Sequence, residues 1–389
     1  EKLQQMRITS ITLKKFRNHA HTEVKWAPHI NVISGPNGSG KTNLIDAVHY
    51  LCMSRSFVTS SDTYVVKQGE SEFDLDGHFE GEIRSSFSVQ CHYSRGEGKK
   101  FWVNESPLDR LSDLIGMVPV VVLSPQDRAL TTEGPAERRA FIDGFISQLS
   151  HRYLRDLIDY RKVVKQRNKL LQEERNPQRL ELFLEPWNAQ LIELGSRIVA
   201  KRTETLNRFQ EFLNKQYEHI AGIGHQPNLE YQTFCEPSED VAAIKEAYAQ
   251  KLEAQAEKER ERELTIVGPH RDEILFRLDE MELRKFGSQG QHRLFALSLK
   301  MAQLFYYSDL LDDLPIFLLD DVFGDLDTRK TDILFDALRL HSGQTFITSA
   351  HSGLIKNRLQ MDGRQNRAFA MEPWAELKEI TETNVENRS

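Results

Sequence analysis

The residues of this sequence that are best suited to chemistry form a glycine-rich turn near the N-terminus. Gly35, four intervening residues, Gly40, Lys41 and Thr42 follow the spacing G-x-x-x-x-G-K-[ST]. Glycines let backbone N–H groups approach phosphate oxygens, the lysine adds positive charge, and the threonine hydroxyl is a ligand for Mg²⁺. We therefore predict a site for ATP and Mg²⁺ that comprises Gly35, Pro36, Asn37, Gly38, Ser39, Gly40, Lys41, Thr42 and Asn43.

A second pair of candidate residues lies far along the chain, where the apolar sequence "IFLL" is followed by Asp320 and Asp321. A buried strand that ends in a carboxylate supplies a further Mg²⁺ contact in P-loop sites, and we assign this role to Asp320. Asp321 would then face the terminal phosphate and orient or deprotonate the attacking water. The alternative is an acidic pair that ends a strand in solvent, and the glycine-rich turn makes this interpretation the weaker one.

A third candidate is the polar loop "GSQGQ", which precedes a long helical pattern and contains Ser288, Gln289, Gly290 and Gln291. A helix N-terminus with a free serine hydroxyl can bind an anion. The same loop also fits an ordinary capping box, in which Ser288 pairs with Gln291. Both interpretations stay open on the residues alone.

Apolar segments predict the strands that position these candidates. "HINVIS" enters the glycine-rich turn, "LPIFLLDD" carries the aspartates, and "MVPVVVLSPQD" leads to Gln126. Residues 72–123 alternate apolar and polar side chains, which predicts an antiparallel meander. Apolar residues recur every three or four positions within 135–262, which predicts helices that form an arm roughly 30–50 Å long.

The predicted fold class is α/β, with a mixed P-loop sheet, an antiparallel meander and an inserted α-helical arm. We predict that residues 6–134 and 263–371 form the two parts of an ATPase head, that 135–262 form the arm, and that 372–389 form a polar tail.

Composition narrows the class of protein. The net charge is −7, so contact with nucleic acid would need a local basic patch. The chain contains no apolar run of about 18 residues, and we expect no membrane span and a cytoplasmic location. Cys52, Cys91 and Cys235 lack the spacing of a zinc site and are expected to be reduced thiols.

The order of motifs resembles that of ABC-type ATPases: a P-loop, a glutamine loop, a serine–glycine signature, an acidic strand and the sequence "GDLD". The long helical segment between Gln126 and Ser288 resembles the layout of SMC-like repair ATPases. The short arm and the sequences "GPAERRAFID", "TIVGPHRDE" and "GSQGQHR" resemble the RecF family of bacterial recombination-mediator ATPases.

This resemblance implies roles for further residues. Gln126 corresponds to the glutamine-loop residue and joins Lys41 and Asp321 as a catalytic candidate. Asp327 of "FGDLD" corresponds to the D-loop aspartate. His351 matches the switch position, although Thr348 or Ser349 also align with it.

Arg17 and Asn18 of "FRNH" would lie near the nucleotide, where Arg17 contacts a phosphate or stacks on the base. A basic surface residue on an edge strand is an equally open interpretation of Arg17.

The resemblance also implies what the protein acts on. ATP would be held between the P-loop of one subunit and the Ser288 loop of a second, in an ATP-dependent homodimer. The dimer would bind double-stranded DNA near single-strand/double-strand junctions and act with RecR, and through it RecO, in DNA repair, replication and the SOS response. Asp321 stands where most ABC-type ATPases have a longer glutamate, so slow ATP hydrolysis would follow if it is the base, and the resemblance also implies that DNA stimulates hydrolysis.

The first half of the arm carries a basic stripe that suggests contact with DNA phosphates. Residues 151–180 contain nine Lys or Arg against four acidic residues. A solvated helix face is the competing interpretation. The candidates are Arg152, Arg155, Arg161, Lys162, Lys165, Arg167 and Lys169.

Two alternative functions remain. An ATPase subunit of a transporter would need a membrane partner, and a structural DNA clamp would use ATP only as a switch. ATP hydrolysis that is stimulated by duplex DNA would distinguish a repair ATPase from a transporter subunit. Hydrolysis of ATP within the lifetime of a dimer would distinguish it from a structural clamp.

Overall fold

The computed structural model describes residues 4–81, 86–222, 224–311, 313–350, 358–373 and 376–380. These residues divide into two compact units: the first contains those before residue 128 and after residue 302, and the second contains residues 128–302. The domain boundaries drawn from the sequence stay a prediction.

The strands are β1 Gln4–Gln5, β2 Arg7–Phe16, β3 His19–Lys25, β4 Ile30–Ser34, β5 Glu72–Glu80, β6 Phe87–Ser94, β7 Gly98–Val103, β8 Ser106–Pro107, β9 Val120–Leu123, β10 Pro227–Gln232, β11 Glu273–Leu278, β12 Met281–Glu282, β13 Asp313–Leu314, β14 Ile316–Asp320, β15 Thr345–Ser349, β16 Asn366–Glu372 and β17 Glu376–Glu379. The α-helices are α1 Lys41–Met53, α2 Ala129–Thr132, α3 Pro135–Leu149, α4 His151–Glu173, α5 Pro177–Ala221, α6 Val241–Arg262, α7 Leu283–Phe286, α8 Gln289–Leu310 and α9 Thr328–Leu340. Short 3₁₀ turns span Asp62–Tyr64, Leu111–Asp113, Pro125–Arg128, Pro269–Arg271 and Phe323–Asp325.

The first unit contains a mixed six-stranded sheet in the order β17-β16-β4-β15-β14-β9. All neighbours in it are parallel except β16 and β17. Every residue of β4, β14 and β15 is buried, because a parallel sheet is covered on both faces. The carboxyl ends of these parallel strands meet at one edge, where the candidate residues from distant parts of the sequence are expected to lie.

The second sheet of this unit has the order β3-β2-β5-β6-β7-β8 and is antiparallel throughout. Side chains of β6 alternate between buried and half-buried, as the period-two pattern predicts. Helix α1 packs against strands of both sheets, which explains why apolar residues surround its whole circumference. The mixed sheet and the meander predicted from the sequence are thus confirmed.

Helices dominate the second unit, and an antiparallel sheet β10-β11-β12 accompanies them. The continuous helical pattern after residue 135 is interrupted at Ser150, whose side chain caps α4. Asn176 and Pro177 begin α5 as a cap and a first-turn proline, as expected.

Helix α5 alone is longer than the roughly 30–50 Å predicted for the arm, whose own length stays a prediction. Helix α5 has 45 residues and is about 68 Å long, because Pro186 lies inside it without ending it. No helix in the described part of the chain is both long and apolar enough to cross a bilayer.

Candidate active site

Two glycines allow the turn between β4 and α1 to form a phosphate cradle. Gly40 has a φ of 109°, which only glycine adopts without strain, and a Cβ there would lie 2.7 Å from the side chain of Asn18. At Gly35 an added Cβ would lie 2.2 Å from the carbonyl oxygen of Met371. No side chain of the described residues caps α1, so its first N–H groups are available to an anion.

The side chain of Lys41 folds back over the glycine-rich turn that precedes it. Its Nζ donates hydrogen bonds of 2.8 Å to the carbonyl oxygens of Gly35 and Pro36. Burial lowers the pKa of the Lys41 ammonium, and the nearby carboxylates of Asp321 and Asp320 act against this shift. The positive charge is therefore fixed at the turn and faced by acidic groups.

Ser39 shows that the turn fits a further polar ligand. Its side chain is buried, and its Oγ has no hydrogen-bond partner among the described residues. A buried hydroxyl without a partner costs free energy, which a phosphate oxygen in the turn would offset.

The first residue of α1 after the lysine and the last residue of β14 meet directly. Thr42 Oγ1 donates a 2.8 Å hydrogen bond to Asp320 Oδ1, and Thr348 Oγ1 donates one of 2.7 Å to the same oxygen. Burial raises the pKa of Asp320, whereas the two hydroxyl donors act to lower it. A hydroxyl and a carboxylate in contact are hard oxygen ligands, and Mg²⁺ uses few such protein ligands beside phosphates. These residues fit the predicted Mg²⁺ site.

Asp321 lies in a different environment from its buried neighbour Asp320. Its backbone has a φ of 49°, its side chain is exposed, and its N–H donates to the carbonyl oxygen and to Oγ1 of Thr348, at 3.2 and 3.0 Å. A left-handed conformation costs an aspartate about 1–2 kcal/mol. The two neighbouring carboxylates also differ in exposure, since Asp320 is 4 % exposed whereas Asp321 is open to solvent.

Asn18 and His19 support the turn from the hairpin between β2 and β3. Asn18 Nδ2 donates to the carbonyl oxygen of Ser39 at 3.1 Å, and its Oδ1 accepts from Asn43 Nδ2 at 2.7 Å. His19 Nε2 lies 3.2 Å from the carbonyl oxygen of Gly40, an obligate acceptor, so this nitrogen carries the proton. Asn18 was singled out from the sequence, whereas the role of His19 was missed.

The environment of His19 keeps its imidazole neutral. The ring is fully buried, and its Nδ1 lies 2.9 Å from Thr22 Oγ1. Burial lowers the pKa of His19 from 6.5 to about 4. The only signal in the sequence was its place in "FRNH".

Arg17 contacts helix α1 rather than standing free. Its Nη2 donates to Asp46 Oδ2 at 3.1 Å and to Ser56 Oγ at 3.0 Å. Asp46 is buried, and burial raises the pKa of its carboxyl group, although the Ser56 hydroxyl, the N–H of Phe57 and the charge of Arg17 act to lower it. The guanidinium therefore compensates a buried charge on the P-loop helix.

Gln126 and the switch position belong to the same sheet edge. Gln126 is exposed in the turn Pro125–Arg128 that follows β9, the neighbour of β14. Thr348 and Ser349 end β15, and Thr348 contacts both aspartates. His351 lies outside the described residues.

In the second unit, the Ser288 loop forms the reciprocal capping box of α8. The N–H of Ser288 donates to Gln291 Oε1 at 2.8 Å, and the N–H of Gln291 donates to Ser288 Oγ at 3.2 Å. Ser288, Gln289 and Gly290 are exposed. Asp327 similarly caps α9 in the first unit, where it accepts from the N–H of Lys330 at 2.9 Å.

The basic stripe of α4 requires one correction. Arg167 is 3 % exposed and donates to Glu259 Oε2 at 2.5 Å, to Thr265 Oγ1 at 2.9 Å and to Asn188 Oδ1 at 2.8 Å. Its guanidinium stabilises the second unit and is not at the surface. The exposed members of the stripe are Arg152, Arg155, Arg161, Lys162, Lys165 and Lys169.

A buried ion network joins the sequences "GPAERRAFID" and "GPHRDE". Arg202 of α5 is 1 % exposed and donates at 2.8 Å to Asp143 Oδ1, to Asp272 Oδ2 and to the carbonyl oxygen of Pro269. Arg138 donates to both carboxylate oxygens of Glu273, also at 2.8 Å. Both sequences therefore have structural roles in the second unit, and Arg202 was not identified from the sequence.

Comparisons with known proteins agree with one another on the family of this chain. The family model of the RecF/RecN/SMC N-terminal domain matches residues 7–368. The DNA replication and repair protein RecF of Salinibacter ruber is 40 % identical over 382 residues, which cover 97 % of this chain and 92 % of that protein.

Solved structures support the same fold. A structure of the recombination mediator protein RecF with ATP in the RecFOR pathway is 26 % identical, with a TM-score of 0.86 over 97 % of this chain and all of that one. The Smc head domain of Pyrococcus furiosus, bound to the C-terminal domain of ScpA, matches with a TM-score of 0.57 at 14 % identity, over 98 % of each chain. The predicted ABC-type head fold is confirmed.

Proposed function

The chain belongs to the RecF family, and from this premise we propose that it is a DNA-repair ATPase that closes into a dimer around ATP and holds duplex DNA. The contact between Thr42 and Asp320 carries the proposal, because it unites the P-loop helix with the acidic strand beside Lys41. A relative named DNA replication and repair protein and a RecF structure with ATP support it.

In this proposal the P-loop binds the phosphates of ATP. Backbone N–H groups at the start of α1 and the hydroxyl of Ser39 donate to phosphate oxygens, and the Lys41 ammonium exchanges its carbonyl acceptors for them. Thr42 and Asp320 would hold Mg²⁺, which would supply positive charge beside the terminal phosphate. Asn18 and His19 keep the turn in this shape.

Asp321 is the proposed general base. Its exposed carboxylate stands next to the Mg²⁺ ligand but outside the buried pocket of Thr42 and Thr348, where it can orient a water for attack on the terminal phosphate. An aspartate reaches one methylene less far than a glutamate, which accords with weak hydrolysis. Gln126 at the same edge would sense the nucleotide.

The Ser288 loop is the proposed contribution of a second subunit. Ser288, Gln289 and Gly290 are exposed at the start of α8, a 22-residue helix whose N-terminus favours anions. The hydroxyl oxygen of Ser288 accepts the N–H of Gln291 as a cap, and the O–H of the same group can at the same time donate to a phosphate oxygen. Asp327 would lie at the seam between the subunits.

DNA and protein partners complete the proposal. The six exposed cations of α4 would contact phosphates of double-stranded DNA without reading its sequence. A solved structure of RecF with ATP is described as part of the RecFOR pathway, which supports cooperation with RecR, and through it RecO, at single-strand/double-strand junctions in the cytoplasm. Hydrolysis of ATP, stimulated by DNA, would open the dimer and release it.

Sedimentation velocity with and without ATP·Mg²⁺ tests the shared site. The wild type should dimerise with ATP, and Ser288→Arg should bind ATP but stay monomeric, because the added side chain blocks the phosphate contact. Asn207→Arg, at an exposed position of α5, is the matched control and should dimerise. A monomeric Ser288→Arg protein with full ATPase activity would contradict the proposal that two subunits share the ATP site.

A structural clamp that uses ATP only as a switch is the second candidate. The exposed position and short side chain of Asp321 favour it, since a poorly placed base hydrolyses slowly. Single-turnover hydrolysis, compared with the lifetime of the dimer on duplex DNA, decides between them. Dimers that dissociate before any ATP is hydrolysed would establish the switch.

A further inference from the structure

We propose that a cationic groove in the second unit, formed by one face of α6 and the "GPHR" turn, is a binding site for the phosphate backbone of duplex DNA. The groove has a volume of about 530 Å³, and Lys251, Lys258, Arg262 and Arg271 line it. It is separate in sequence from the α4 stripe. The proposal rests on the proposed DNA-binding function and names a second surface that would carry it.

Helix α6 sorts its charges by face. Lys251, Gln255, Lys258 and Arg262 follow one another at intervals of four, three and four residues, which places them on one side of the helix. The exposed acids Glu253, Glu257 and Glu261 recur every four residues and lie on another side. The acidic residues of this helix therefore do not neutralise the groove.

The four cations of the groove form no ion pair within the part of the chain that the structure describes, although Arg271 Nη2 donates to the carbonyl oxygen of Thr265 at 3.4 Å. Among the described residues, none of them has a carboxylate oxygen within the 4.0 Å of an ion pair. The two acids that line the groove are already committed to other partners. Asp272 accepts from Arg202 at 2.8 Å and also from Tyr231, and Glu273 is held by Arg138.

The spacing of the cations favours a regular polyanion. At 1.5 Å per residue, Lys258 lies about 10.5 Å along the helix axis from Lys251 and about 6 Å from Arg262. The row from Lys251 to Arg262 therefore spans about 16.5 Å, which is long enough to face several phosphates of a duplex that carries one negative charge per about 1.7 Å of its axis. A row of phosphates can thus meet successive side chains of the row.

The lining disfavours an acidic protein segment as the occupant. Protein interfaces are built around a buried apolar centre, whereas the apolar side chains of this groove, Phe234, Ile266 and Val267, are buried or half-buried in the unit itself. Phe234 packs on Tyr248 at a ring separation of 4.2 Å. What the groove offers a ligand is mainly charge, which suits a phosphodiester backbone.

Binding of a fluorescein-labelled duplex, measured by anisotropy with ATP·Mg²⁺ over a series of salt concentrations, tests the proposal. In the double variant Lys258→Gln/Arg262→Gln, the slope of log K against log salt should become shallower by about 2, equally for two duplexes of different sequence. Arg260→Gln removes a charge from the same helix about 200° away from Lys258, and its slope should match that of the wild type. ATP binding should be unchanged in both proteins.

The other outcomes of this experiment distinguish failure of the groove proposal from failure of the proposed DNA-binding function. If the wild type binds duplex DNA and the double variant keeps its slope and affinity, the groove proposal falls while the proposed function stands. If the wild type binds no duplex, the DNA-binding function itself fails, and the groove proposal fails with it. Loss of poly-glutamate binding in the double variant, with duplex binding unchanged, would assign the groove to an acidic protein and overturn the proposal.

Discussion

Thr42 and Asp320, 278 positions apart in the sequence, share a 2.8 Å hydrogen bond at the carboxyl edge of the parallel sheet. The bond joins the first turn of α1 to the last residue of β14. Because Thr348 donates to the same carboxylate oxygen, three elements converge on a single atom. This convergence supplies the contact points at which a nucleotide-bound Mg²⁺ would be held.

Asp320→Asn should lower the rate of ATP hydrolysis about 100-fold or more, because an amide is a poor Mg²⁺ ligand. The amide oxygen can still accept from Thr42 and Thr348, so the fold should be kept. Hydrolysis and Mg²⁺-dependent binding of a fluorescent ATP analogue measure the effect. Asp336→Asn, an exposed residue of α9, is the control, and hydrolysis at the wild-type rate in Asp320→Asn would remove Asp320 from the site.

Substitutions of Asp321 separate its backbone role from its chemical role. Asp321→Asn keeps a side chain that tolerates the left-handed conformation and should lower kcat about 100-fold with ATP binding unchanged. Asp321→Glu should raise kcat, because the carboxylate reaches one methylene farther. Single-turnover assays with saturating ATP give both values.

The backbone of Asp321 gives a second readout in the same series. Asp321→Ala should lose about 1 kcal/mol of unfolding free energy relative to Asp321→Gly, measured by urea denaturation, because only glycine adopts a φ of 49° at no cost. An Asn variant with wild-type turnover would show that Asp321 is not the base.

The neutral buried ring of His19 predicts a pH dependence of stability. Its pKa is about 4 in the folded chain and 6.5 when unfolded, so between these values the unfolded state binds more protons and stability falls as the pH falls. Between pH 7.5 and 5.5 the contribution is a loss of about 1.4 kcal/mol. The free energy of unfolding of His19→Gln should therefore depend less on pH over this range.

His21→Gln controls for the loss of a histidine, because this side chain is about half exposed on the same strand. Urea denaturation at several pH values measures each protein. An identical pH dependence in the wild type and His19→Gln would mean that folding does not lower the pKa of His19, contrary to the burial of its ring.

The sequence was most informative where the pattern is local. The succession of an apolar strand, a glycine-rich turn and a helix located the P-loop. Apolar segments located the strands that bring Gln126, Asp320 and Thr348 to the carboxyl edge of the parallel sheet. What it did not reveal depends on distant partners or on a single backbone angle. Asp321 follows the buried Asp320 with a left-handed φ and an exposed side chain, and no residue type in "LLDD" indicates that φ.

Buried charges were the other gap. Arg202 sits on the apolar face of α5, and its partner Asp143 lies 59 positions away, so no local pattern announces the pair. Arg167 is different, since it continues the buried positions Tyr160 and Val163 at helical spacing. That periodicity was a usable signal that Arg167 belongs to the core.

Arg167→Gln should destabilise the chain by about 3–5 kcal/mol, because it leaves Glu259 buried without its cation. Lys165→Gln, on the exposed face of the same helix, should change stability by less than about 0.5 kcal/mol. The double substitution Arg167→Met/Glu259→Leu should recover most of the loss, since it removes both charges together. Urea denaturation of the wild type and the three variants gives these differences. Equal stability of Arg167→Gln and Lys165→Gln would place Arg167 at the surface, and Arg167 would then again be a candidate for contact with DNA.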